Sequence, residues 1–185
     1  MKRLVLSLSA IALVITVPVL ASSPVRASIR EAGTKIAQLL NRPEVKLDLD
    51  AAKRMITVDG SGNEQIDWQE LAGEATVVPG DVLRYTVSGE NTGDATANDF
   101  VITQPIPTQT IFVLDSADSS NVATITYSID NGATFSTEPT IQVDNNGTII
   151  EQPAPAESYT HIRWSFEQAI VAQEQVQASY QVSIK

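Results

Sequence analysis

Apolar residues recur at every second position in one segment of this chain after another. Leu83, Tyr85 and Val87 alternate with Arg84, Thr86 and Ser88. Ile125, Tyr127 and Ile129 follow the same rule, as do Ile162, Trp164 and Phe166. Near the end, Val176, Ala178, Tyr180, Val182 and Ile184 carry it through five positions. In an extended backbone successive side chains point to opposite faces, so this spacing turns one face to a dry core and the other to water. The last segment reads as a central strand that closes the fold.

Turn signals separate these segments. Asn and Gly accept positive φ at little cost, so Asp130-Asn131-Gly132 predicts a tight hairpin with Phe135 on the return strand. Asn145-Asn146-Gly147, between Ile141, Val143 and Ile149, predicts a second. Pro105 and Pro107 cannot donate ladder hydrogen bonds, which makes their segment a crossing or an edge. Strands do not alternate with helices, and no internal repeat appears. The expected fold class is all-β: an immunoglobulin-like antiparallel β-sandwich of about seven strands, spanning residues 44–185.

Residues 1–21 read differently. Lys2 and Arg3 precede an apolar run from Leu4 to Leu20, and Val19-Leu20-Ala21 offers a small-residue exit. That order is a secretory signal peptide, with an alternative cleavage after Ala27; an uncleaved membrane anchor is the competing reading. Residues 22–43 form a connector. Ser28 is placed to cap a short helix striped by Ile29, Ala32, Ile36, Leu39 and Leu40, which Pro43 ends.

Export fits the absence of nucleic-acid chemistry. The formal net charge is −10, and loss of Lys2 and Arg3 with the leader makes it −12. Between Glu90 and Glu174 there are 12 acidic residues and one basic residue, Arg163. Such a surface repels phosphate backbones. The chain has no cysteine, so neither disulfides nor thiolate metal sites are available. An exported domain without cross-links depends on its apolar core.

Residues 78–87, Val-Pro-Gly-Asp-Val-Leu-Arg-Tyr-Thr-Val, and residues 90–97, Glu-Asn-Thr-Gly-Asp-Ala-Thr-Ala, form a recognisable pattern with residues 101–107. It resembles the bacterial surface repeat family called domain of unknown function eleven. Residues 127–135 and Ile162-Arg163-Trp164 fit its later half. The resemblance, over about residues 45–185, implies an immunoglobulin-like module of exported proteins with no catalytic residues to carry over. The motif residues are also explicable as fold chemistry. Pro79-Gly80 and the segment from Asn91 to Asp94 make turns, and Trp164 fills a core and needs one partner for its indole N–H.

Among candidate sites, residues 59–70 carry the sharpest pattern. Calcium loops place oxygen ligands at positions 1, 3, 5, 7, 9 and 12. Here these are Asp59, Ser61, Asn63, the Gln65 carbonyl, Asp67 and Glu70. Position 6, where glycine allows the sharp turn, is Glu64. The competing reading is a hairpin, with Met55–Val58 entering, Gly60–Asn63 turning and Gln65–Trp68 returning; β-branched residues favour it. His161 and Ser158 permit a serine triad on paper, but the alternation makes His161 an outward, structural residue. Trp68 is the one aromatic considered as a sugar platform, with core packing as the alternative. Asn146-Gly147-Thr148 matches a glycosylation sequon that doubles as turn chemistry.

The expected function is an exported, non-catalytic structural or adhesion-type module of the cell envelope or surface. Its partners would be a protein or an envelope polymer, or further copies of itself. It would use no cofactor and no nucleic acid, and would touch membrane only through an uncleaved leader. The alternative is a calcium- or carbohydrate-binding domain using residues 59–70 or acidic loops. Periplasm, cell surface and exterior all remain open.

Overall fold

The computed structural model describes residues 42–72 and 74–185, together with the backbone strands Leu4–Ser7 (β1) and Val14–Thr16 (β2). The proposed cleavage sites and the predicted connector helix lie outside the described residues. From Val45 onward the elements are β3 (Val45–Val58), β4 (Glu64–Glu70), β5 (Glu74–Val77), β6 (Val82–Asn91), β7 (Val101–Pro105), β8 (Thr110–Phe112), β9 (Asp118–Ser119), β10 (Ala123–Ser128), β11 (Thr140–Asn145), β12 (Thr148–Pro153), β13 (His161–Phe166) and β14 (Gln175–Ile184). The sole helical element among them is a single 3₁₀ turn at Ala156–Ser158.

The protein is an antiparallel β-sandwich. One sheet runs β4-β3-β6-β14-β8, with β9 also on β14; the other runs β10-β13-β7-β2. β11 and β12 form a separate two-stranded ribbon, and β1 pairs with β5. The strand total exceeds the seven or so expected because short pieces such as β8 and β9 pair separately with one long strand.

The alternating positions meet as the pattern requires. Leu83, Tyr85 and Val87 from β6 are buried, as are Val176, Ala178, Tyr180, Val182 and Ile184 from β14. They face Ile102 of β7 and Ile162, Trp164 and Phe166 of β13. β14 is central, pairing β6 on one side and β8 and β9 on the other. Tyr180 stacks on Tyr85 at 5.4 Å and lies 6.0 Å from Trp164 across the core. Its hydroxyl donates to the Pro105 carbonyl at 3.3 Å, which bonds the two sheets directly. Burial holds that phenol far above its usual pKa, so it stays a neutral donor.

The turn residues behave as their chemistry demands. Gly80 adopts φ 92 after Pro79, as a type II turn needs, and Asp81 locks the corner. The Asp81 carboxylate accepts from Val78 N at 2.8 Å and from Lys53 Nζ at 2.7 Å. Gly93 answers a different need. A Cβ there would come within 2.5 Å of the Arg42 carbonyl, so the segment crosses the backbone of residues 42–44 too closely for any side chain.

Asn91 is more than a turn residue. It is fully buried, and its Nδ2 donates to the carbonyls of Ala95 at 2.8 Å and Ile170 at 2.9 Å. Its backbone also bonds Glu174 O and receives Gln173 N. One side chain thus joins the β6 exit to the β13–β14 connection. Gln104, by contrast, is fully buried opposite Ile162 with neither amide atom hydrogen-bonded, and Trp164 Nε1 is likewise unpartnered. The indole partner expected from the sequence is not present in the hydrogen-bond network.

These two buried amides should respond oppositely to mutation. Asn91→Ala strands the carbonyl of Ala95 and should lower unfolding free energy by about 1–3 kcal/mol in denaturant titration. Gln104→Met removes two unpaired polar atoms at similar volume and should stabilise or cost less than about 1 kcal/mol. A larger loss for Gln104→Met than for Asn91→Ala would overturn this account.

Candidate functional site

The segment singled out in the sequence is a hairpin. β3 and β4 pair in register from Ala52↔Glu70 to Val58↔Glu64, and the turn lies between them. Asp59 organises that turn: its Oδ1 accepts from Ser61 N at 2.8 Å and Asn63 N at 2.9 Å, and its Oδ2 from Asn63 Nδ2 at 3.2 Å. Those bonds, the Asn63 amide first, hold its carboxyl below the usual range. Gly62 supplies the positive φ, at 85.

The hairpin separates the six calcium candidates. Asp59, Ser61 and Asn63 share the turn, but Gln65, Asp67 and Glu70 run away along β4. Six residues of strand put Glu70 about 20 Å from Glu64, at about 3.3 Å per residue. The Glu70 carboxylate therefore cannot share an ion with Asp59, and the loop that would gather all six is not formed. Among the described residues no cluster of three acidic, histidine or cysteine side chains has metal-holding geometry.

The hairpin does bring other residues together. On β3 the core face carries Val45, Leu47, Leu49 and Ala51. The even positions, Ala52, Arg54, Ile56 and Val58, take the outer face, and register pairs them with Glu70, Trp68, Ile66 and Glu64. Among the described residues β6 accompanies β3 only as far as Lys53, and beyond it β3 pairs with β4 alone. Ile56 and Ile66 sit directly opposite each other and are 54% and 58% exposed, and Val58 beside them is 65% exposed. Met55 is exposed on the reverse side. Trp68 is neither core residue nor open platform: the Arg84 guanidinium covers its ring at 4.3 Å.

His161 belongs to a turn-fixing network. Its Nδ1 lies 3.2 Å from Thr160 Oγ1, which receives Asn131 N and donates to Ser128 O. Ser158 sits in the 3₁₀ turn, and its N–H bonds Pro155 O. No hydrogen bond joins Ser158 to His161 among the described residues, so the two do not form a nucleophile–base pair. Burial, then Arg163, lowers the His161 pKa, with Asp130 opposing. The first predicted hairpin shrinks to one bridge, Tyr127↔Ser136, around a longer loop. Asn131 and Gly132 do take positive φ, 59 and 85, but Asp130 redirects the chain by binding Thr134. Phe135 consequently packs under the Arg163 guanidinium, at 3.5 Å, instead of extending a strand. The second hairpin forms as predicted, with Asn146 and Gly147 at positive φ between β11 and β12.

Searches against protein-family models, curated proteins and solved structures find no match to this chain.

Two outcomes follow from this geometry. Asp130 has its pKa lowered to about 2, chiefly by the Thr134 hydroxyl. A depressed carboxylate stabilises the fold above its unfolded pKa and loses that contribution as pH falls from about 4 toward 2. Asp130→Ala should therefore lower the melting temperature at pH 7 and lower it much less at pH 2.5; equal shifts at both would refute the assignment. Because the calcium candidates are split between turn and strand, millimolar calcium should leave the melting temperature where chelator puts it.

Proposed function

We propose that this chain is an exported, non-catalytic β-sandwich module of the cell envelope or surface that works through protein or polymer contacts. The observation that carries the reading is the projecting β3–β4 hairpin, whose outer face pairs Ile56 with Ile66 in solvent beside Val58. Contiguous exposed apolar side chains of this kind mark interaction surfaces. A cross-strand apolar pair on a projecting ribbon offers a ridge for a complementary groove, stiffened by its own ladder.

Three features support export. The basic start, apolar run and small-residue exit of residues 1–21 have the order of a cleavable leader, whose removal would take β1 and β2 with it. The cysteine-free, strongly acidic composition suits a soluble domain that avoids nucleic acid. The resemblance of residues 78–107 to bacterial surface repeats points the same way and stands as part of this proposal. Against a serine mechanism weighs that no hydrogen bond joins Ser158 to His161 among the described residues, where His161 Nδ1 meets Thr160 Oγ1 instead.

Sedimentation with a cell-envelope fraction from the source cells tests the reading. The chain should co-sediment, and Ile56→Thr/Ile66→Thr should cut the bound fraction severalfold with little change in melting temperature, because both side chains are more than half exposed and threonines suit a cross-strand pair. Binding undiminished in the double variant, or a wild-type chain that stays in the supernatant, would sink it.

A further inference from the structure

A concavity lies where the β11–β12 ribbon meets the sandwich. Phe112, Tyr127 and Tyr159 form a mutual aromatic cluster with centroids 5.3 to 5.5 Å apart. They line an open cleft of about 250 Å³, with Asp115 and Glu138 among its walls. That is smaller than pockets for drug-sized ligands, which run from about 300 Å³, and suits a single side chain.

The walls are held by backbone bonds and not by loose loops. Tyr127 and Ser136 exchange two hydrogen bonds, at 2.8 and 2.9 Å, on one side. Ala154 N binds Pro139 O at 2.9 Å on the other, just where the β11–β12 ribbon departs. A cleft fixed in this way loses little freedom when it is filled.

Its electrostatics are one-sided. Neither Asp115 nor Glu138 belongs to an ion pair among the described residues, whose pairs are Lys46–Asp48 and Lys53–Asp81. Arg163, the one cation between Glu90 and Glu174, is committed to Phe135 and to Thr103 Oγ1. Burial, and after it the Asp115 charge, raises the pKa of Tyr127 and of Tyr159, which places that carboxylate's field on both rings. Aromatic faces beside unpaired carboxylates attract an organic cation twice, through the ring quadrupole and through charge.

We propose that this aromatic and acidic cleft receives a lysine side chain presented by a basic segment of a partner protein. The butyl stem would lie on the rings of Phe112, Tyr127 and Tyr159 while the ammonium meets Asp115 and Glu138. The proposal rests on the reading of the chain as a protein-contact module and narrows its partner to a basic one, in keeping with the net charge of −10.

The test is amide NMR titration of the full chain with a blocked pentapeptide carrying one central lysine between glycines, and with its norleucine counterpart. The lysine peptide should shift the amides of Asp115, Tyr127, Glu138 and Tyr159 saturably, and the norleucine peptide should not. Asp115→Asn/Glu138→Gln should weaken binding roughly fivefold or more. Asn tolerates the positive φ of 60 that Asp115 adopts, and Glu138→Gln alone serves if the double variant misfolds. Glu90→Gln/Asp94→Asn, an equal charge change outside the cleft, should leave binding unchanged. The proposal fails if the lysine peptide gives no saturable shift, if norleucine binds as well, or if the distant pair weakens binding equally. Such failure leaves the envelope sedimentation result untouched, since that reads the hairpin and not the cleft.

Discussion

The structure depends on the closure of two sheets over Trp164 and Tyr180. Both are fully buried, they meet across the interface, and Tyr180 also ties its own sheet to the other through the Pro105 carbonyl. Aromatic side chains of this size remove much apolar surface from water, and in a chain without disulfides that burial is the main source of stability. The neighbouring aromatic pairs, Tyr85 with Tyr180 and Phe100 with Phe166, extend the same contact along the sandwich. Among the described residues the buried side-chain polar atoms without a partner are the amide of Gln104 and the indole nitrogen of Trp164.

Because the core takes one face of each sheet, function is left to the edges and ends. β3 and β4 continue as a two-stranded ribbon past Lys53, the last β3 residue paired with β6, and Ile56, Val58 and Ile66 on its outer face remain exposed. The β11–β12 ribbon leaves the sandwich in the same manner, with Ile149 and Ile150 exposed. Between that ribbon and the core edge lies the aromatic cleft. Rigid strands thus present an apolar ridge at one place and an acidic, aromatic hollow at another, which is the division expected of a scaffold that makes contacts.

Much of the fold was legible in the sequence because alternation reports burial directly. The in-facing positions of β6, β13 and β14 are the ones the period-two pattern named. Pro79-Gly80 and Asn146-Gly147 turn where positive φ is inexpensive. The departures come from side-chain contacts and burial that spacing does not reveal. Asp130 captures Thr134 and converts a tight hairpin into a longer loop. Gln104, beside the prolines expected to mark a crossing or an edge, is sealed in the core opposite Ile162. Trp68 alternates like a buried residue, but on this strand the even positions face out and Arg84 covers it.

The contact surfaces were hardly legible. Ile56 and Ile66 look like ordinary core alternation, but the register of β3 and β4 puts them on the outer face of the sheet, where they stay exposed. The cleft joins residues from five separate stretches between Phe112 and Tyr159, and no local pattern links them. The sequence alone determined which residues are extended, which face of each strand is apolar and where the chain turns, since these follow from local backbone sterics and side-chain period. Tertiary structure decided which strands run past the core and which distant aromatics and carboxylates share a wall, because both depend on where sheets end in space.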